Sequence, residues 1–177
     1  MIKRLREMIA EVANGPIRVY HSAVDKSTGL VYFNVASNTG WSSLLENATF
    51  ETVNKVQVQA ITLDDFVLRE NIKKIRLLKL DIEGAETDAL IGASNLLKSG
   101  LVDFILVEVD PYRLKAFGHT GQELASLIEK NGYLPVCMIE NDTIIPLSKD
   151  RLIPGSYNCD YLYAKEELYQ SATTSLF

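Results

Sequence analysis

The chain has 177 residues, 47% of them hydrophobic and 23% charged. That is one domain's worth of polypeptide, large enough to bury roughly 70% of its unfolded surface without disulfides or a structural metal, and the composition excludes a disordered tail, a collagen-like repeat and a coiled coil. With 18 basic and 23 acidic residues the net charge is −5, which excludes the broad basic face that grips a nucleic-acid backbone.

From the N-terminus, Ile2, Leu5, Ile9 and Val12 recur at helical spacing, with Lys3, Arg4, Arg6 and Glu7 on the wet side. Asn14-Gly15-Pro16 stops that helix. Glu7 and Glu11 interrupt the apolar run, so it does not read as a secretory signal. Strands are predicted at 17–24 and 30–36, joined as a hairpin by the turn 25–29. Residues 37–54, rich in Ser, Thr and Asn, read as a long loop, and 56–61 as a third strand. Thr62 caps a short helix whose first turn carries Asp64 and Asp65.

The apolar strand 75–82 follows, then the turn at Gly84, a helix over 85–98 and the buried-type strand 104–109. Thr120-Gly121-Gln122-Glu123 is a capping box that launches a helix to Lys130. Closing strands are predicted at 133–139, 143–146 and 159–163, with a helix stub and loose tail over 166–177. Strand and helix alternate through the middle of the chain. This pattern predicts an α/β fold with a parallel sheet covered on both faces, in one domain over 1–177 with its core at about 17–163.

Cys137 and Cys159 make no disulfide framework, and His21 and His119 make no zinc site. Free thiols and the lack of a 20-residue apolar span lead us to expect a cytoplasmic protein with no membrane or nucleic-acid partner.

In open α/β sheets, chemistry sits beyond the carboxyl ends of the strands. Strand 75–82 ends in Asp81, Ile82, Glu83, Gly84, Ala85, Glu86, and strand 104–109 in Glu108, Val109, Asp110. If these strands are neighbours, Asp81, Glu83, Glu108 and Asp110 gather at one rim. Crowded carboxylates raise one another's pKa, which makes a base, or they hold a cation. Asp81 and Glu83, two apart in extended backbone, lean the same way. Asp81 follows a buried strand, where an acid is costly unless partnered. Glu86 reads as helix-end stabilisation. His119 is a substrate-side acid or base, or plain surface, and Trp41 and Tyr112 line an acceptor pocket or simply pack.

The segment KLDIEGAETDALIGA at 79–93, followed by LVEVD at 106–110, resembles the signature of the FkbM family of S-adenosylmethionine-dependent methyltransferases. Weaker pieces occur in the expected order: Ser22-Ala23-Val24-Asp25 with Gly29, Ser42-Ser43-Leu44, and Thr62-Leu63-Asp64-Asp65. No GxGxG or GxGxxG turn occurs, and the chain starts at what resembles the helix after the family's second strand. The resemblance therefore implies a Rossmann-like class I methyltransferase fold, N-terminally truncated, with a mostly parallel sheet and antiparallel strands toward the C-terminus. Strand 75–82 would lack a neighbour, to be covered by closure of the sheet, by a partner chain or by a second copy.

The implied activity is transfer of a methyl group from S-adenosylmethionine to a hydroxyl of a sugar or polyhydroxylated metabolite. Ser22, Ala23 and Asp81 would hold the cofactor, and Asp81, Glu83 and Glu108 would carry the chemistry. His119, Tyr112 and Trp41 would face the acceptor. A magnesium ion on Asp81 and a neighbouring carboxylate would be a second way to acidify the hydroxyl. Two readings stand beside this one: a non-catalytic remnant or partner subunit that does not bind the cofactor, and another α/β enzyme using the carboxylate rim with a metal.

Overall fold

The computed structural model describes residues 16–36, 44, 52–147 and 158–176. The helix expected at 2–12, and Trp41 with its neighbours Ser42 and Ser43, lie outside these residues. The described elements are strands β1 (Ala23–Val24), β2 (Gly29–Ala36) and β3 (Thr52–Ile61), helix α1 (Leu63–Arg69), strand β4 (Ile75–Leu80), helices α2 (Glu86–Ile91) and α3 (Ser94–Lys98), and strand β5 (Val102–Val109). Helices α4 (Pro111–Ala116) and α5 (Gly121–Glu129) come next. Strands β6 (Tyr133–Glu140), β7 (Thr143–Pro146) and β8 (Cys159–Lys165) follow, and a 3₁₀ turn leads into α6 (Tyr169–Leu176).

The protein is α/β, but its sheets are mixed rather than mostly parallel. Five strands run in the order β4-β5-β8-β6-β7, and only the β4–β5 pair is parallel. A separate three-stranded sheet has the order β1-β3-β2. The expected hairpin between 17–24 and 30–36 does not form. Instead β3 takes β2 as its antiparallel partner from Gly29↔Ala60 to Ala36↔Thr52. Only Ala23 and Val24 then find an edge to pair with, in parallel with Ala60 and Ile61. The first predicted strand is therefore reduced to the two residues that pair with β3.

Among the described residues β4 has β5 as its sole strand partner. One face of the five-stranded sheet is dry: Leu80, Ile105, Val107, Val109, Cys159, Tyr161 and Tyr163 pack under Leu90, Leu97, Leu114, Leu124 and Ile128 from the helices. On the opposite face α6 seats Tyr169 and Ala172 against Val136 and Ala164. The C-terminal segment expected to be a loose tail is therefore a packed helix, because its apolar residues have a sheet to cover.

The helix predicted over 85–98 is two helices, broken at Gly92 and Ala93. Gly92 lies so near the turn after β1 that a Cβ there would stand 2.6 Å from the Asp25 carbonyl oxygen. The new N-terminus is capped from outside: Asp64 accepts the N–H groups of Asn95 at 3.0 Å and Leu96 at 2.7 Å. Thr62 caps α1 and Thr120–Glu123 form the capping box of α5, as the sequence indicates. Helix α4 was not foreseen, although Asp110 is a cap residue and Pro111 occupies the first helical position. No helix among the described residues is long and apolar enough to cross a membrane.

Candidate active site

Strands β4 and β5 run side by side; β4 ends at Leu80, opposite Val107, and β5 continues to Val109. The acids at and just beyond their carboxyl ends meet at this rim. Glu108 is on the less buried sheet face, directly across from Asp160 of β8. Burial raises its carboxyl group's pKa to about 7, with the negative fields of Asp81, Glu86, Asp160 and Asp110 adding to the shift. At neutral pH the group is thus poised between its two protonation states.

Strand β4 stops at Leu80, so Asp81 is the first residue beyond it rather than part of it. Its side chain is 45% exposed and pairs with Lys79 at 2.9 Å. The sequence argument for a buried acid therefore does not hold: Asp81 is in reach of solvent at the strand end. Nor do Asp81 and Glu83 lie in the extended backbone that the sequence argument assumed. Strand β4 has ended at Leu80, and Glu83 with φ 65 and Gly84 with φ 101 turn the chain from position 83 on. Glu83 forms an ion pair with the half-buried Arg113 of α4, which also reaches Asp110 at 2.9 Å.

Glu86 does more than favour a helix end. Its Oε1 accepts the N–H groups of Ile82 at 2.9 Å and Gly84 at 3.2 Å, tying down the loop that carries Asp81 and Glu83. Burial raises its pKa against these hydrogen bonds.

A second polar group lies at a cleft of about 430 Å³ lined by Asp25, Lys26, Val31, Tyr32, Leu44, Asp88, Ala116 and Phe117. Asp88, in the first turn of α2, accepts from Lys26 Nζ at 2.9 Å through one oxygen. Its other oxygen lies 3.0 Å from His119 Nε2. The Asp88 side chain is 8% exposed and His119 20%. The hydrogen bond to Asp88 is the main reason the Lys26 pKa is raised.

The structure thus brings Asp81, Glu83, Glu108 and Asp110 to one rim and sets His119 against α2. Ser22 and Ala23 are half-buried at the start of β1, in the other sheet, just before the Asp25-Lys26 turn at the cleft. Tyr112 is 88% exposed and does not line this cleft. Sequence reasoning missed Asp88, Lys26, Arg113 and Asp160. Arg113 was within reach as the i+3 partner of a cap aspartate. The others become neighbours only through long-range packing.

The model of a protein family, the methyltransferase FkbM domain, matches residues 3–135, more than half of the chain. No curated protein and no solved structure matches it at a significant level.

Proposed function

The chain belongs to the methyltransferase FkbM family, and from that membership we propose that it transfers a methyl group from S-adenosylmethionine to a hydroxyl of a sugar or other polyhydroxylated metabolite. The observation that carries the reading is the placement of Glu108 beside Asp81 at the carboxyl-end rim of two parallel strands, where burial raises its pKa to about 7.

Bound S-adenosylmethionine would supply an electrophilic methyl group on a positively charged sulfur. The rim suits such a cation: Asp81, Glu86, Glu108, Asp110 and Asp160 outnumber Lys79 and Arg113 there. Asp81, exposed and on a loop fixed by Glu86, faces the sulfonium in this reading. Ser22 and Ala23 flank the adenosyl side. Glu83 is committed to Arg113, and the pair holds the loop after β4 against α4. That leaves Glu108 to take the proton of the attacking hydroxyl. A base with a pKa near the working pH both exists ionised and accepts the proton readily. Holding oxygen and methyl carbon in line at about 3 Å supplies much of the remaining rate. Among the described residues no three His, Cys, Asp or Glu side chains are grouped to hold a metal ion; a magnesium ion on Asp81 and one neighbouring carboxylate, which needs fewer protein ligands, would be a second way to acidify the hydroxyl.

Isothermal titration of the whole chain with S-adenosylmethionine tests the reading. Saturable binding that weakens in Asp81→Asn is expected. No binding by protein that is demonstrably folded would overturn it and leave the non-catalytic reading standing.

A further inference from the structure

The cleft of about 430 Å³ beside α2 has a polar wall that the rim does not use. Its volume is in the range of small-molecule sites, roughly 300–1,000 Å³. Asp25 and Lys26 follow β1, Asp88 follows β4 and Phe117 follows β5. All come after strand ends, the side on which layered α/β proteins bind ligands. The first turn of α2 serves both places. Glu86 ties down the rim loop, and Asp88, next but one in sequence, stands in the cleft wall.

Two neighbouring polar residues of this wall are held by their surroundings. The Lys26 side chain is 54% exposed, and such a long chain is ordinarily free to swing. Asp88 fixes it through an ion pair at 2.9 Å, and both partners line the cleft. One of the three ammonium N–H donors is thereby used and two remain. Asp25 accepts the Lys26 backbone N–H on Oδ1 at 2.7 Å, and among the described residues no group donates to its Oδ2. The turn that carries both residues is anchored on three sides. The Asp25 N–H reaches the Ile61 carbonyl at 3.3 Å, the Thr28 hydroxyl accepts the Thr62 N–H at 3.2 Å, and Gly92 lies against the Asp25 carbonyl.

A carboxylate and an ammonium on consecutive residues set an acceptor beside a donor. That pair matches two adjacent hydroxyls of one ring, the first donating to Asp25 and the second accepting from Lys26. The other walls suit the ring itself. Tyr32 lines the cleft and is 64% exposed, and Phe117 lines it as well. The C–H face of a sugar ring is apolar and packs on an aromatic side chain. Two carboxylates against one ammonium leave the wall net negative, which repels an anionic ligand.

We propose that this cleft binds the ring of a neutral polyhydroxylated acceptor through a vicinal diol, with Asp25 and Lys26 taking the two hydroxyls and Tyr32 lying against the ring. This rests on the reading that the acceptor is a hydroxyl compound, and it names the group by which that compound is held. The ribose of an adenosyl group carries a vicinal diol too, so the test separates the two sources.

Amide NMR of the isotope-labelled whole chain, titrated with methyl glucoside, supplies that test. The sugar should shift the signals of Asp25, Lys26 and Tyr32 together and saturably. Tyr32→Ala and Asp25→Ala, each checked for an intact fold by its amide spectrum, should weaken the response about tenfold. Two ring isomers probe the spacing in the unaltered protein: trans-cyclohexane-1,2-diol should shift the same signals, and cyclohexane-1,4-diol should not. Adenosine added to sugar-saturated protein should leave the sugar's shifts in place. Equal responses to the two cyclohexanediols, variants that bind like the wild type, displacement by adenosine, or no response at these residues up to the sugar's solubility limit would each overturn the proposal. Titration of the wild type with S-adenosylmethionine reports on the methyltransferase reading separately. Sugar binding in the cleft without cofactor binding would sink that reading alone, and cofactor binding without a sugar response would sink this one alone.

Discussion

Gly84 lies against the backbone of Arg113: a Cβ at position 84 would stand 2.8 Å from both the carbonyl carbon and the carbonyl oxygen of residue 113. The loop after β4 and helix α4 after β5 are thereby locked together, and the acids at the rim owe their spacing to this contact. Gly84 also has φ 101, a conformation that side chains disfavour. Gly84→Ala should lower stability by about 2 kcal/mol or more in urea unfolding, and it should move the Glu83–Arg113 pair.

The titration of Glu108 has a definite sign. Its folded pKa, about 7, is above the ordinary 4.5. Between these values the native protein holds a proton that the unfolded chain has released, so the group favours folding at low pH. That contribution is lost as pH rises through the window, by about 1–2 kcal/mol once solvent screening is allowed for. Urea midpoints at pH values below and above the window should therefore fall more steeply for the wild type than for Glu108→Gln. Equal slopes would place Glu108 in an ordinary aqueous setting.

Asp64 joins two helices that the sequence presents as unrelated. Besides the two N–H groups at the start of α3, it accepts the Asn95 side-chain amide at 2.9 Å. Asp64→Ala should cost about 1–2 kcal/mol, the usual loss for a helix cap, read as a drop in thermal midpoint. Asp65→Ala instead removes the hydrogen bond from the Thr28 hydroxyl, on the turn between β1 and β2. Its effect should stay below that of Asp64→Ala, because this partner is an exposed hydroxyl rather than a helix end.

Asp81→Asn should leave thermal stability within about 0.5 kcal/mol, as is usual for an exposed position. The same change should weaken S-adenosylmethionine affinity about tenfold or more, since it removes the carboxylate assigned to the sulfonium. Titration calorimetry with a parallel thermal melt separates the two effects. A large loss of stability with unchanged affinity would make Asp81 a structural residue instead.

Much of the local order was legible in the residues. The caps at Thr62 and Thr120, the apolar runs of β4 and β5, and the acids that follow them depend on side chains a few positions apart, and their physics is local. The signature at 79–93 carried the family, and the match over 3–135 agrees with it. What the sequence could not supply were choices between distant partners. Residues 17–22 have strand-like alternation, yet only Ala23 and Val24 pair as a strand with β3, whose other edge runs along β2. The 85–98 helix breaks because Gly92 meets the Asp25 carbonyl and Asp64 offers a cap from another helix. Asp88 meets Lys26 and His119 across 62 and 31 positions. The chain alone determined which segments are apolar, where helices start and which acids end the central strands, since each is a matter of short-range sterics and hydrogen bonding. Only the tertiary structure decided which strands pair, which carboxylates share a field and which histidine is held, because those depend on what long-range packing brings within a few ångströms.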